Sequence, residues 1–439
     1  MVERDLRAMI GDAVAFSVMV GIGEAYVPAF VLAAGHGELA AGLVATLPML
    51  AGAVFQLVTP FAVRRLGSYR RWVVLCARLQ ALSFVPLVAG AGLGRIPVWL
   101  VFAAIAAYWG AGMATSPAWN AWVTALVPAE QRAGFFARRT RYGQAALFLA
   151  LVAGGVTLEG AASGARPLAA FGVLFALALA ARWVSAGYLT RHGEPAGLAA
   201  GHLALSPPEV LARLRRGSGS RLLIYLLAMQ VAVQVSAPFF APYMLKQLAL
   251  SYWSFTALIG VSFLARIAAL PALGRLAHRR GAGAVLRLGA VGIVPLPAFW
   301  LISDELAFLL LLQTVAGLAW AALEFGTLLS FFEGLHERER ASILTVFNFA
   351  NTVAMGAGSL VGAWLLSLAG EPRDAYAAVF LASVAARALT LALLPRVRRG
   401  VAAPEQVALR TLAVRPSAGA IQRPILSTLS AESEEPGAP

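Results

Sequence analysis

The chain has little charge and almost no cysteine. Of its 439 residues only 13% are Asp, Glu, Lys or Arg, about half the share that keeps a soluble globular surface wet. A water-soluble enzyme of this size is excluded on that ground. Hydrophobic residues make up 60% of the chain and mean hydropathy is +0.76, which excludes disorder over most of its length. The single cysteine, Cys76, lies inside an apolar stretch, so a disulfide framework and a thiolate metal site are both excluded. A Gly-rich loop ending in Gly-Lys-Ser or Gly-Lys-Thr is missing, and with it nucleotide hydrolysis as a driving force. The five histidines, His36, His192, His202, His278 and His336, are scattered among loops and helix ends without His-x-x-x-His spacing. No metal and no cofactor are expected. A cleavable signal is not expected either. The first apolar run, Ala8 to Ala34, is too long for one and contains Asp12 and Glu24.

What the chain does have is long apolar runs. A membrane-spanning helix needs about 20 mostly apolar residues. That ruler predicts twelve spans, at roughly 9–33, 39–62, 72–92, 97–120, 143–161, 167–189, 221–244, 253–274, 284–302, 305–330, 341–369 and 374–395. The runs are rich in Ala and Leu, too long for strands and without two-residue alternation. The expected class is an all-α integral membrane protein.

Net charge is +14, and the basic residues are unevenly placed. The N-terminus, the even-numbered connections and the C-terminal tail hold twenty-seven of them. The odd-numbered connections hold only Arg95, Arg166, Lys246 and Arg373. Lys and Arg collect on the cytoplasmic side of membrane proteins, so both termini are expected in the cytoplasm of a bacterial inner-membrane protein. Topology accounts for the basic charge, and no nucleic-acid partner is expected.

The longest internal connection, about 190–220, carries Pro195, Pro207, Pro208 and Arg215-Arg216-Gly217-Ser218-Gly219, a linker composition. It divides the spans six and six. The halves resemble each other weakly. Ala180-Ala181-Arg182 matches Ala385-Ala386-Arg387, Arg132 matches Arg340, and Arg65-Leu66-Gly67 matches Arg279-Arg280-Gly281. Ordered matches with a drifting offset indicate two parallel repeats. The expected division is a six-helix bundle in 1–190, a cytoplasmic linker in 191–220, a second bundle in 221–395 and a disordered tail in 396–439.

Twelve spans in two pseudo-symmetric six-helix bundles, with a basic turn after the second span of each half, resemble the major facilitator superfamily. The family's turn motif is Gly-x-x-x-Asp-Arg-x-Gly-Arg-Arg. The first copy here runs from Pro60 to Arg71, where Arg65 and Gly67 fit and Pro60, Arg64 and Ser68 depart. The second runs from Gly274 to Gly281, with His278 where Asp is expected. The resemblance implies that the turn's Asp helps latch the cytoplasmic side. Neither copy carries it, so Glu130 beside Arg132, or the segment Glu333 to Arg340, is expected to supply the carboxylate. The expected cytoplasmic gate comprises Arg64, Arg65, Arg70, Arg71, Glu130, Arg132, Arg139, Arg279 and Arg280. The family's antiporter motif is absent, since Ala153-Gly154-Gly155 has no Pro.

The resemblance also places spans one, four, seven and ten around a central cavity. Ionisable groups at bilayer depth are costly and usually face such a cavity. Glu24, in Gly23-Glu24-Ala25-Tyr26-Val27-Pro28, is the first candidate to bind substrate or a proton, and Glu324 on span ten is the second. For Glu24 the structural alternative is a protonated or paired carboxylate. Trp109, Trp320, Gln230 and Gln234 are the expected cavity lining, with packing and interhelical hydrogen bonding as the alternatives. If Pro28 and Pro238 correspond, Glu24 and Gln234 face each other across the pseudo-twofold. Asn348 and Asn351, near Gly356, Gly358 and Gly362, suggest close packing of span eleven. Asp12, Arg78, Arg182, Arg266 and Arg387 lie near span ends and are read as structural anchors, with arginines reaching to the headgroups.

The expected function is a monomeric secondary carrier of a small solute, driven by a gradient rather than by a nucleotide, with the lipid bilayer as its other partner. A proton gradient is the first expectation. The alternative is a non-transporting membrane protein on the same scaffold, serving assembly, sensing or lipid interaction.

Overall fold

The computed structural model describes residues 2–127, 129–162, 164, 167–194, 220–334, 337–368 and 372–394. Most of the proposed linker and the whole tail from 396 lie outside the described residues. Within them, twelve helices are long and apolar enough to cross a bilayer. They are α1 (Asp5–Ala33), α2 (Gly37–Leu66), α3 (Tyr69–Leu93), α4 (Val98–Asn120), α5 (Gly134–Ala161) and α6 (Pro167–Leu189). The second set is α7 (Leu222–Gln247), α8 (Tyr252–Arg280), α9 (Ala282–Phe299), α10 (Leu306–Ser330), α11 (Phe347–Leu368) and α12 (Arg373–Leu393). No strand occurs among the described residues.

Span boundaries differ from expectation at α5 and α8. Helix α5 starts about nine residues early, because the basic stretch Arg138 to Arg141 is helical rather than a loop. Helix α8 runs on to Arg280 through an internal Pro271. A proline is tolerated inside a spanning helix when neighbours satisfy the freed backbone groups.

The helices pack as two bundles with the same internal order. In the first, α1 lies on α5 and α6, α4 packs on α2 and α3, and α3 on α6. Six helices later the pattern recurs: α7 lies on α11 and α12, α10 packs on α8 and α9, and α9 on α12. Small residues permit the close approaches. At Gly358 and Gly362 of α11, an added Cβ would sit 2.3 Å and 2.0 Å from backbone oxygens of α7, as the glycine-rich sequence of that span suggested.

The first helix of each bundle is broken. After Ile22, α1 leaves α geometry, forms a 3-10 turn over Glu24–Tyr26 and resumes at Val27. Helix α7 does the same after Gln234, with a 3-10 turn over Ala237–Phe239. Proline supplies no N–H to a helix ladder. Pro28 is the second residue of the helical segment after the first turn, whereas Pro238 lies inside the second turn. The breaks align Ile22 with Gln234, a register two residues from the one that matching Pro28 to Pro238 gives.

The two bundles meet along α2 and α11, along α5 and α8, and where α1 and α2 touch α7. Their polar contacts cluster in the half away from the chain termini. Thr46 of α2 donates to Ser359 of α11 at 2.8 Å. Glu38, at the head of α2, accepts from Gln247 of α7 at 3.0 Å and from Tyr376 of α12. Glu159, near the end of α5, accepts at 3.1 Å from the backbone N–H of Trp253 in the first turn of α8.

Candidate functional site

Glu24 opens the 3-10 turn of α1. A break at Gly23 turns its side chain toward α4, where the Tyr108 hydroxyl donates to the carboxylate at 2.6 Å. Tyr108 is buried, and its ring meets Trp109 edge-on at 5.4 Å and Phe84 at 5.5 Å. Glu24 itself is half-buried. The structure thus brings together Glu24 and, through Tyr108, the half-buried Trp109. A carboxylate bonded to a phenol and walled by aromatic rings can hold a cation against ring faces or exchange a proton.

The remaining candidates lie elsewhere. Trp320 is among the largest fully buried side chains, at 2% exposure, and serves as packing for the second bundle. Glu324, one helical turn further along α10, pairs at 3.0 Å with Arg266 of α8 and remains 18% exposed. It lies six residues from the terminus-side end of α10, while Glu24 lies nine residues from the far end of α1. The two carboxylates occupy different depths. Gln230 and Gln234 are buried, and Gln230 Nε2 and both amide atoms of Gln234 lack a hydrogen-bond partner among the described residues. Gln234 has its Cβ against α11 at Gly358. Asn351 is buried in α11, with its amide on the Met355 sulfur.

The intramembrane arginines differ from the anchor reading. Arg182, Arg266 and Arg387 turn inward and are buried, the first at 2% exposure and the last at 1%. Arg78 alone of this set is exposed, stacked beside Trp183 at 5.9 Å. Burial is tolerated because serines and carboxylates meet the guanidinium groups inside the bundles. Arg182 donates to Ser185 Oγ at 2.6 Å, and the Ser185 hydroxyl donates in turn to Asp12 at 2.8 Å. Asp12 also pairs with Arg139 of α5 at 3.3 Å. The rings of Phe16 and Trp119 cover the two guanidinium groups, at 5.0 Å and 4.4 Å. In the second bundle Arg387 donates to Ile293 O at 2.7 Å and to Ser236 Oγ at 3.1 Å.

The gate candidates also divide. The side chains of Glu130 and Arg132, and those of 333–340, lie outside the described residues. Arg139 is engaged within the first bundle. Arg64, Arg65, Arg71, Arg279 and Arg280 are exposed at the terminus end. At the turn between α2 and α3, Gly67 adopts φ +63°, which favours glycine. Ser68 caps α3 by accepting from Arg71 N–H at 3.1 Å. The carboxylate at this turn comes from Glu194, which accepts from Ser68 Oγ at 2.6 Å and from Arg70 N–H at 3.1 Å. The Arg70 side chain reaches back to His192 O at 3.2 Å. Nothing in the motif pointed to Glu194, which lies more than 120 residues away in a Gly- and Pro-rich stretch.

Beside it, the His192 ring is buried against Trp122 at 5.3 Å, and Asp5 accepts from Gly193 N–H at 3.4 Å. Burial pushes the His192 imidazole below its ordinary value, with Asp12 pulling the other way.

A family model for the Major Facilitator Superfamily matches residues 13–358. No curated protein sequence matches the chain. Among solved structures, a mutant of the nucleoside transporter NupG is similar at 13% identity and a TM-score of 0.71, over 89% of this chain and 100% of that one. The xylose transporter XylE from E. coli, in a partially occluded inward-open conformation, gives 14% and 0.61 over 90% and 98%. A bacterial homologue of the human lysosomal transporter Spinster, inward-facing and unoccupied, gives 13% and 0.59 over 90% and 94%. At these identities the likeness shows the fold alone.

Proposed function

The chain belongs to the major facilitator superfamily, and on that premise we propose that it is a secondary carrier moving a small solute by alternating access with proton coupling. It is a multi-pass membrane protein with twelve apolar helices. In this reading it resides in a bacterial inner membrane with both termini in the cytoplasm, acting as a monomer. The bundles in 1–190 and 221–395 rock about the linker between them.

The observation that carries the proposal is Glu24 at the break of α1, bonded to Tyr108 of α4. An ionisable group at this depth is expensive in lipid and is retained where it meets a solute, an ion or a proton. A broken helix at the same point frees backbone groups to face a cavity. The grip of Glu38 and Glu159 on the opposite bundle supports a conformation closed at the end away from the termini. In that conformation the exposed arginines Arg64, Arg65, Arg71, Arg279 and Arg280 stand ready to meet the opposite bundle when the terminus end closes. Arg266 and Glu324 join α8 to α10 near that end and set the position of the second bundle's cavity wall.

The test is thermal stabilisation of the detergent-purified protein by a broad metabolite and drug panel, with Glu24→Gln in parallel. A ligand bound only by the folded state raises stability by mass action. A compound that stabilises the wild type and not the variant, and whose uptake into vesicles follows an imposed pH gradient, supports the carrier and its site. A ligand that stabilises both equally moves the site away from Glu24. Gradient-independent uptake removes the coupling.

A further inference from the structure

The three-residue turn that carries Glu24 also carries Tyr26, and the two side chains point to different partners. Glu24 bonds to Tyr108 within its own bundle. Tyr26 is fully buried, and its hydroxyl reaches both Leu151 O of α5 at 2.5 Å and Thr256 Oγ of α8, in the other bundle, at 3.0 Å. A tyrosine hydroxyl has one hydrogen. With that hydrogen on Leu151 O, Thr256 is the donor to Tyr26. The packing around this bond is built for it. A Cβ at Gly154 would lie 2.5 Å from the Tyr26 ring, and one at Gly155 would lie 2.2 Å from Thr256 Oγ. Two adjacent glycines of α5 thus make room for a side chain from each bundle. The ring of Phe148 stacks on Phe263 at 5.8 Å further along the same seam.

We propose that Tyr26 and Thr256 form the link by which the state of Glu24 reaches the opposite bundle, so that Tyr26 is a positioning residue of transport. This rests on the reading of Glu24 as the substrate or proton site. The reason is geometric. A 3-10 turn holds three residues in one tight loop of backbone, with a hydrogen bond from Tyr26 N–H to Gly23 O. The Glu24 carboxylate cannot leave Tyr108 by rotating this turn without displacing the Tyr26 ring, which has no free volume against Gly154. The displaced hydroxyl then gives up Thr256, and the contact between α1, α5 and α8 loosens. Coupling between two sites requires an element whose arrangement both sites bias, and this turn is that element.

The experiment uses full-length protein in liposomes with Cys76→Ala and a reporter introduced by Ser359→Cys. Ser359 is buried where α11 meets α2, so its alkylation by a maleimide reports opening of the far half. The probe for the site is Glu24→Gln, which fixes the neutral side chain. In an otherwise unchanged protein, Glu24→Gln is expected to change the alkylation rate about 5-fold or more, the low end of ordinary allosteric coupling. In Tyr26→Phe or Thr256→Val protein the same substitution is expected to change it by less than about 2-fold, and Thr256→Ser is expected to restore the response. If Glu24→Gln changes the rate as much in Tyr26→Phe and Thr256→Val as in the parent, the link is overturned while the reading of Glu24 stands. If Glu24→Gln leaves the parent rate unchanged, both are overturned.

Discussion

Glu38 of α2 accepts hydrogen bonds from Tyr376 of α12 and Gln247 of α7, so one carboxylate of the first bundle holds two helices of the second. Hydrogen bonds to a charged group contribute about 1.5–3 kcal/mol each. On the alternating-access reading proposed above, this latch forms only with the far end closed, and that energy biases one conformation over the other rather than stabilising the fold as a whole.

Tyr376→Phe is therefore expected to raise the population open at the far end by about 10-fold or more, since each 1.4 kcal/mol is a factor of ten. Glu38→Gln is expected to act in the same direction. Spin labels at the exposed positions Leu39 and Asp374 should show a longer distance component in both variants. Unchanged distance distributions would remove Glu38 from the gate.

The Arg266–Glu324 pair makes a different kind of prediction. Removing one member leaves a mostly buried charge, which typically costs 3–5 kcal/mol. With Glu324 partly exposed, we expect Glu324→Ala to cost about 3 kcal/mol and to lower the melting temperature in detergent. Arg266→Met combined with Glu324→Leu should recover most of that stability. If transport fails in the double variant despite recovered stability, the pair has a role beyond packing. If the single and double variants melt alike, the pair is not held in the way the structure describes.

Glu194 closes the turn between α2 and α3 from a distant part of the chain. Its carboxylate sits on Arg70 N–H at the start of α3, where capping and helix-dipole effects each contribute about 0.5–1 kcal/mol. Glu194→Ala should speed amide exchange at residues 69–72 by about 10-fold and leave the middle of α3 unchanged. Equal protection in both proteins would mean that Ser68 alone caps the helix.

The spans were legible because their signal is length and apolarity, which a bilayer imposes directly. Helix α5 was misjudged at its start because Arg138, Arg139 and Arg141 read as a loop. Arg139 is accommodated there by Asp12 from α1 and the face of Trp119 from α4, contacts no local pattern encodes. Glu24 is legible as a candidate because a carboxylate at bilayer depth is costly. Tyr108 and Tyr26 are not, since tyrosine is equally at home in a core, an interface or a cavity wall. The inward arginines were misread for a related reason. Near a span end a long side chain can reach the headgroups or a buried serine, and Ser185 and Ser236 decide the matter only once helices are placed. The helix breaks give a register two residues from the one the prolines give, because one proline follows its break and the other lies within it.

His192 adds a pH dependence whose sign can be worked out. Its imidazole is fully buried against Trp122. Burial holds its pKa below the ordinary 6.5, the opposing pull of Asp12, the Ala8 backbone and Asp5 being weaker. The unfolded chain therefore binds a proton at higher pH than the folded one. Stability rises with pH wherever the unfolded state holds more protons. The contribution of the neutral ring is thus fully present above about 6.5 and is lost as pH falls through the depressed folded value. We expect the melting temperature of the wild type to fall on acidification below that point. His192→Phe keeps a ring against Trp122 and cannot titrate, so its melting temperature should fall less over the same interval. Parallel pH profiles for the two proteins would show that this histidine charges without cost, and that another group carries the acid sensitivity.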